Sequence, residues 1–301
     1  MKARRHVIWI AAMIVAAVVA SPLAVQQRFR SGIEVVLIPA LVTDRNRPVT
    51  GLRASDFVLT DNGVPQTVTS TLVESLPIDV TLLIDASGSV SGPALARFKA
   101  DVQAIVDGLN LNDRVRLLAF ATNVVDVSGL QPGGAPLPLQ RLVAGGATSV
   151  YDAMAAAFLS ASVSERPHLI FAFTDGLDNM SFTDASHVAA LARMSGASLY
   201  VAQVEVSNAL VDRQIWLSPF QGRDPSVLRD VAEITGGRLF TVPATSARMV
   251  SVFQDVIDEF RTTYVLRYTP QGVARAGWHD VEVRTTTGRY SVRARRGYDG
   301  G

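Results

Sequence analysis

Residues 79–93 read Asp-Val-Thr-Leu-Leu-Ile-Asp-Ala-Ser-Gly-Ser-Val-Ser-Gly-Pro, and this stretch decides the fold. Val80 to Ile84 is a short run, apolar but for Thr81; Asp85 to Ser89 is a tight polar turn; helical spacing begins after Pro93. A strand without polar alternation is buried on both faces, as strands are in a parallel sheet covered by helices. Outward from this point the same grammar repeats. Val115 to Phe120, Leu169 to Phe173, Leu199 to Val204 and Arg238 to Val242 are expected strands. Helical spacing runs through 93–109, 150–164, 185–195, 225–235 and 246–261. In the first of these Leu95, Phe98, Val102, Ile105 and Leu109 share a face, and in the last Met249, Val250, Phe253, Val256, Ile257 and Phe260 do. Val124 to Val127 is expected as an antiparallel edge strand. The fold class is therefore α/β, a doubly wound and mostly parallel sheet, spanning 78–262.

On either side the pattern changes to strands alone. Glu34 to Val42, Asp56 to Thr60 and Val64 to Val73 are expected before it, with Asp61-Asn62-Gly63 as a turn. Tyr264 to Tyr268, Asp280 to Arg284 and Tyr290 to Arg293 are expected after it. Neither flank has strands enough to bury a face by itself. The reading is one small β-sandwich, in which 33–76 pairs with 263–298 and the α/β unit is inserted.

The chain begins with Lys2, Arg4 and Arg5, followed by an uncharged apolar run from Val7 to Ala20 and a break at Ser21-Pro22. Residues 1–25 thus read as a secretory signal peptide or, since 7–25 gives 19 residues without a charge, as an N-terminal anchor. Both place the remainder outside the cytoplasm: periplasmic, cell-surface or secreted. The formal charge is +1, and without those three cations 25 basic residues face 27 acidic ones, for −2. That excludes electrostatic capture of nucleic acid by the chain as a whole. The chain has no cysteine, so disulfides, zinc–thiolate sites and thiol catalysis are excluded.

In open parallel sheets, ligands bind beyond the carboxyl ends of the strands. Asp85, Ser87 and Ser89 lie at that end of the first strand, Asp175 at that end of the strand 169–173, and Thr148 just before a helix, after Gly145-Gly146. Taken singly, each is a helix cap or a turn residue. Together they form a candidate metal set of oxygen donors with no histidine or cysteine beside it, the chemistry that selects Mg²⁺, or Mn²⁺ and Ca²⁺. If hydroxyls and water hold most positions, the ion keeps an exchangeable site that an Asp or Glu of a partner protein can fill. For the neighbouring Asp152, Asp178, Asn179 and Ser91, capping or hydrogen bonding is the expected role. The segment 205–224 carries Trp216, Leu217 and Phe220, expected either to pack on the rim or to meet a partner.

Asp85-x-Ser87-x-Ser89, Thr148 and Asp175 together resemble the metal-ion-dependent adhesion site of von Willebrand factor type A domains. The flanks, with Asp61-Asn62-Gly63-Val64-Pro65-Gln66, Tyr264-x-Leu266-x-Tyr268 and Val292 to Tyr298, are similar to the VWFA-related proteins common in acidobacteria. The resemblance implies direct ligation by Ser87, Ser89 and Thr148, with Asp85 and Asp175 often acting through water, and a last helix, 246–261, that transmits changes in the shell. Ala147 departs from relatives that keep a further glycine there. Catalysis is not expected. His6, His168, His187 and His279 are scattered, no serine sits at the centre of a G-x-S-x-G, and Ser87 stands where a two-aspartate phosphatase needs a carboxylate. What remains is an exported, metal-dependent protein-binding module or a constitutive envelope scaffold, with a metal-dependent hydrolase as the remote alternative.

Overall fold

The computed structural model describes residues 35–72, 76–88, 93–161, 166–175, 178–204, 226–242 and 249–300. In chain order, β1 (Val36–Asp44), the two-residue β2 (Arg47–Pro48), β3 (Phe57–Asp61), β4 (Val64–Gln66) and β5 (Thr69–Leu72) precede β6 (Asp79–Asp85). There follow α1 (Pro93–Asp107), β7 (Arg114–Phe120), β8 (Val124–Asp126), β9 (Gln131–Pro132), α2 (Val150–Ser160), β10 (His168–Thr174), α3 (Ala185–Met194) and β11 (Ser198–Val204). The chain continues through α4 (Ser226–Ile234), β12 (Arg238–Val242), α5 (Met249–Arg261), β13 (Tyr264–Tyr268), β14 (Gly277–Thr285), β15 (Ser291–Ala294) and β16 (Gly297–Gly300).

The central sheet runs β12-β11-β10-β6-β7-β8, parallel except for β8, which turns back along β7, as the short β9 also does. All seven residues of β6 are buried. Its alternate side chains serve two different cores. Val80, Leu82 and Ile84 pack with Phe98, Val102 and Ile105 of α1 and Phe253, Val256 and Phe260 of α5. Leu83 faces the opposite way, towards Met154 and Phe158 of α2, Val188 of α3 and Leu228 of α4. From β6 the chain steps to β7 on one side and later returns to β10 on the other. That reversal opens a crevice at the carboxyl end of β6.

Two antiparallel sheets lie outside this layer, one ordered β15-β1-β13-β5 with β2 beside β1, the other β16-β14-β3-β4. They share one apolar core: Ile38, Ala40 and Val42 of β1 and Leu266 and Tyr268 of β13, against Leu59 of β3 and Val281 and Val283 of β14. Phe57 and Tyr264 meet edge to face with ring centres 5.0 Å apart. The single strand expected over 64–73 is divided. β4 pairs with β3 in one sheet, whereas β5 pairs with β13 in the other. Pro65 has no N–H to offer a second neighbour, so β4 ends its sheet, and the chain turns a corner into the facing layer. A further strand, β16, pairs with the first half of β14 and extends the C-terminal pattern beyond the expected strands.

The two layers meet at the C-terminal segment that carries β15 and the start of β16. Arg293 of β15 bonds the Glu259 carboxylate on α5 and reaches the Tyr200 hydroxyl at 3.4 Å. Arg295, 4% exposed, donates to the carbonyls of Ala192, Arg193 and Ser195 at the end of α3. Its burial lowers the guanidinium pKa to about 10, leaving it charged against the negative end of the helix dipole. Among the described residues no helix is long and apolar enough to cross a membrane. The leader, residues 1–25, lies outside them.

Candidate functional site

Asp85 closes β6 between Phe120 of β7 and the end of β10. Its side chain is 2% exposed. The Ser87 N–H donates to Asp85 Oδ1 at 2.9 Å, an Asx turn that folds the following residues back over the strand end. The Thr174 hydroxyl donates to Oδ2 at 2.8 Å. Burial raises the carboxyl pKa, and hydrogen bonds from Ser87, Thr174 and the Asp175 backbone work against that rise. Among the described residues Asp85 has no lysine, arginine or histidine partner. A buried carboxylate without a cation is costly to keep ionised, so this position is suited to an external one.

The loop carrying Thr148 is stitched to the Asp85 turn through main-chain bonds. Gly145 N–H donates to Ala86 O at 2.9 Å and Gly88 N–H to Gly146 O at 3.2 Å. Gly145 and Gly146 have φ of +153° and +87°, and a Cβ on Gly146 would sit 2.4 Å from Thr122 Oγ1. Ala147 adopts no left-handed conformation, so its methyl group is no obstacle to the turn. Thr148 is 5% exposed. Its N–H donates to Asn179 Oδ1 at 2.8 Å, and its carbonyl accepts from the N–H groups of Asn179 (3.0 Å) and Met180 (3.1 Å).

Asp175 is the first residue beyond β10, half-buried, and its carbonyl accepts from the Gln203 side chain at 3.4 Å. Four of the five candidates, Asp85, Ser87, Thr148 and Asp175, are therefore placed at one edge by three interlocked segments. Ser89 lies outside the described residues, as do Ser91 and the segment 205–224 with Trp216, Leu217 and Phe220.

The residues around them hold the scaffold. Asp178, 1% exposed, accepts from Tyr151 N–H at 2.9 Å and from the Ser181 hydroxyl at 2.5 Å. The Ser181 hydroxyl oxygen in turn accepts from Asp152 N–H at 3.1 Å. Thus the start of α2 is capped from the 178–181 loop, while its own N-cap Ser149 donates instead to Ala121 O at 2.7 Å. The Asp152 carboxylate accepts from Phe182 N–H (3.0 Å) and Thr183 N–H (2.8 Å). Thr174 was not anticipated, although its place just before Asp175 on the same strand is a usable signal. Thr122, far from the motif in sequence, gave none.

The donor set suits a hard cation: two carboxylates and neutral hydroxyls at a crevice. Among the described residues no three histidine, cysteine or acidic side chains converge, which sets this arrangement apart from imidazole or carboxylate-cage centres.

A family profile described as VWA-like domain (DUF2201) matches residues 80–197. No curated protein matches the sequence. Among solved structures, von Willebrand factor type A from Catenulispora acidiphila aligns at 14% identity, over 87% of this chain and 65% of that one, with a TM-score of 0.50. Proximal thread matrix protein 1 from the mussel byssus, solved with a zinc-occupied MIDAS motif, aligns at 16% identity over 67% of this chain, also at 0.50. This chain spans half the length of the mussel protein. At such identities the likeness concerns the fold. The profile and the fold agree: residues 80–197, which match the VWA-like domain model, lie in the helix-covered parallel sheet.

Proposed function

We propose that this protein is an exported, non-catalytic binding module that captures a partner's carboxylate through a divalent cation, Mg²⁺ or else Mn²⁺ or Ca²⁺. The observation that carries the reading is Asp85: buried, at the crevice of the sheet, hydrogen-bonded by neutral groups and, among the described residues, lacking a basic partner. Ser87, Ser89 and Thr148 would hold the ion, with Asp85 and Asp175 balancing its charge. When bound, the ion supplies an electrophilic point that a carboxylate satisfies better than water does. The protein's own part is to hold these groups in place: the Asx turn fixes Ser87, the glycine pair admits the Thr148 loop, and Asn179 clamps Thr148. The mussel protein, a fold neighbour of low identity solved with a zinc-occupied MIDAS motif, supports this reading. The cationic, apolar leader supports export.

The test is calorimetric and by capture. Mg²⁺ is expected to stabilise the wild-type protein, by about 2.7 kcal/mol at a hundredfold excess over its Kd. Asp85→Ala should abolish that gain while keeping a native circular dichroism spectrum. Capture of a partner from envelope extract should require Mg²⁺ and be lost in EDTA. Capture that persists in EDTA would replace this reading with a constitutive scaffold, and Asp85-dependent turnover of phosphoesters would replace it with an enzyme.

A further inference from the structure

Beside the candidate metal site stands an aromatic side chain that the fold makes no attempt to cover. Phe182 is 93% exposed, and Met180, two residues earlier, is 36% exposed. The loop that carries them is tightly held. Asp152 accepts from the N–H groups of Phe182 and Thr183, Asp178 from Ser181, and Met180 N–H donates directly to the Thr148 carbonyl. The ordering of this backbone is therefore already achieved by the fold, and an aromatic displayed on a rigid loop loses little freedom when a partner covers it. Charge narrows the partner further. Residues 145–149 and 178–184 contain Asp178 and Asp184 and no lysine or arginine, and Asp152 adjoins them on α2. Asp184 is paired with His187 Nδ1 at 2.9 Å, and among the described residues of these two segments a second negative charge would meet carboxylates and no lysine or arginine.

Resting on the metal-site reading above, we infer that the partner presents a single Asp or Glu next to an apolar side chain, the carboxylate going to the ion and the apolar group to Phe182 and Met180, and that an acidic run is rejected.

The experiment uses the full chain in Mg²⁺ over an array of short synthetic peptides. Each carries one aspartate flanked by leucine or phenylalanine, by serine, or by a second aspartate. Wild type should retain the apolar-flanked set best and the doubly acidic set least. Phe182→Ser, a change at an exposed site, should lower retention of the apolar-flanked set about tenfold, to the level of the serine set. EDTA separates the two ideas. Loss of all retention in EDTA with an unchanged preference in Phe182→Ser overturns the apolar contact and leaves the ion intact. A preference that depends on Phe182 but survives EDTA supports the apolar contact and removes the ion. Retention that rises in Phe182→Ser, as it would if another part of the chain occupied this surface, overturns the inference, and so does a wild type that retains none of the peptides.

Discussion

Two aspartates of this molecule are buried almost equally, Asp61 at 0% exposure and Asp85 at 2%, and they are treated in opposite ways. Asp61 sits between the antiparallel sheets. His279 Nδ1 lies 2.7 Å from its Oδ1, and the hydroxyls of Tyr268 and Tyr298 each donate to Oδ2 at 2.9 Å. Burial and the neighbouring Asp61 push the Tyr268 pKa far up, so its proton stays in place as a donor. Every group around that carboxylate is committed to it. Asp85 has neutral donors and, among the described residues, nothing basic. The same contrast holds at the opposite end of the central sheet, where Asp79 pairs with Arg114 at 2.6 Å and Asp113 with Arg261 at 2.5 Å. A buried acid with its own base is a structural joint, whereas Asp85, with none among the described residues, is the position we propose for a cation.

The contrast predicts unequal costs of truncation. Asp61→Ala orphans a buried histidine and two tyrosine hydroxyls and is expected to cost about 3–5 kcal/mol in urea unfolding. Asp85→Ala, compared without metal, should cost at least about 2 kcal/mol less, because a desolvated charge leaves with it. Equal losses would mean that both acids are structural. His168 tests the basic side. Its ring, 2.8 Å from the Thr81 hydroxyl, is buried, which lowers its pKa from 6.5 to about 4 in spite of nearby Asp79. The folded protein thus disfavours the proton that the unfolded chain takes up below 6.5. Stability from this group is full above 6.5 and drains away down to about 4, by up to about 3 kcal/mol. His168→Gln should lose that portion of the acid sensitivity, and an unchanged profile would assign it elsewhere. The smallest effect is expected where charge is exposed. Arg296 and Glu233 pair at 2.7 Å with both side chains largely in solvent. Arg296→Ala should therefore change stability by less than about 1 kcal/mol.

Much of this was legible in the chain itself. β6, β7, β10, β11 and β12 lie within a residue of their expected bounds; β6, β10 and β11 are buried and read as largely apolar runs, while the edge strand β12 is mostly half-exposed. The turn at Asp85 and the glycines before Thr148 are local signals, and the structure uses them locally. What could not be read depends on long-range register. The division of 64–72 between two sheets follows from which strands β4 and β5 meet, not from their own composition. The Asp61–His279 contact joins positions 218 apart, and nothing near either residue announces it. Thr122, which accepts from Ala147 N–H at 3.1 Å, likewise acquires its role only from the way distant segments meet.

The pairing of β1 with β13 and of β3 with β14 also sets an order of events as the chain is made. Apart from the short local pairs β1–β2 and β3–β4, the first strands to emerge find their neighbours only after the whole α/β unit has followed, since Val36 aligns with Tyr268 and Phe57 with Thr285. Until then Ile38, Ala40 and Val42 stand as an apolar edge with no sheet to join, which is the kind of segment that seeks strands of other chains. The outer layer can therefore close only after the inserted unit has been made.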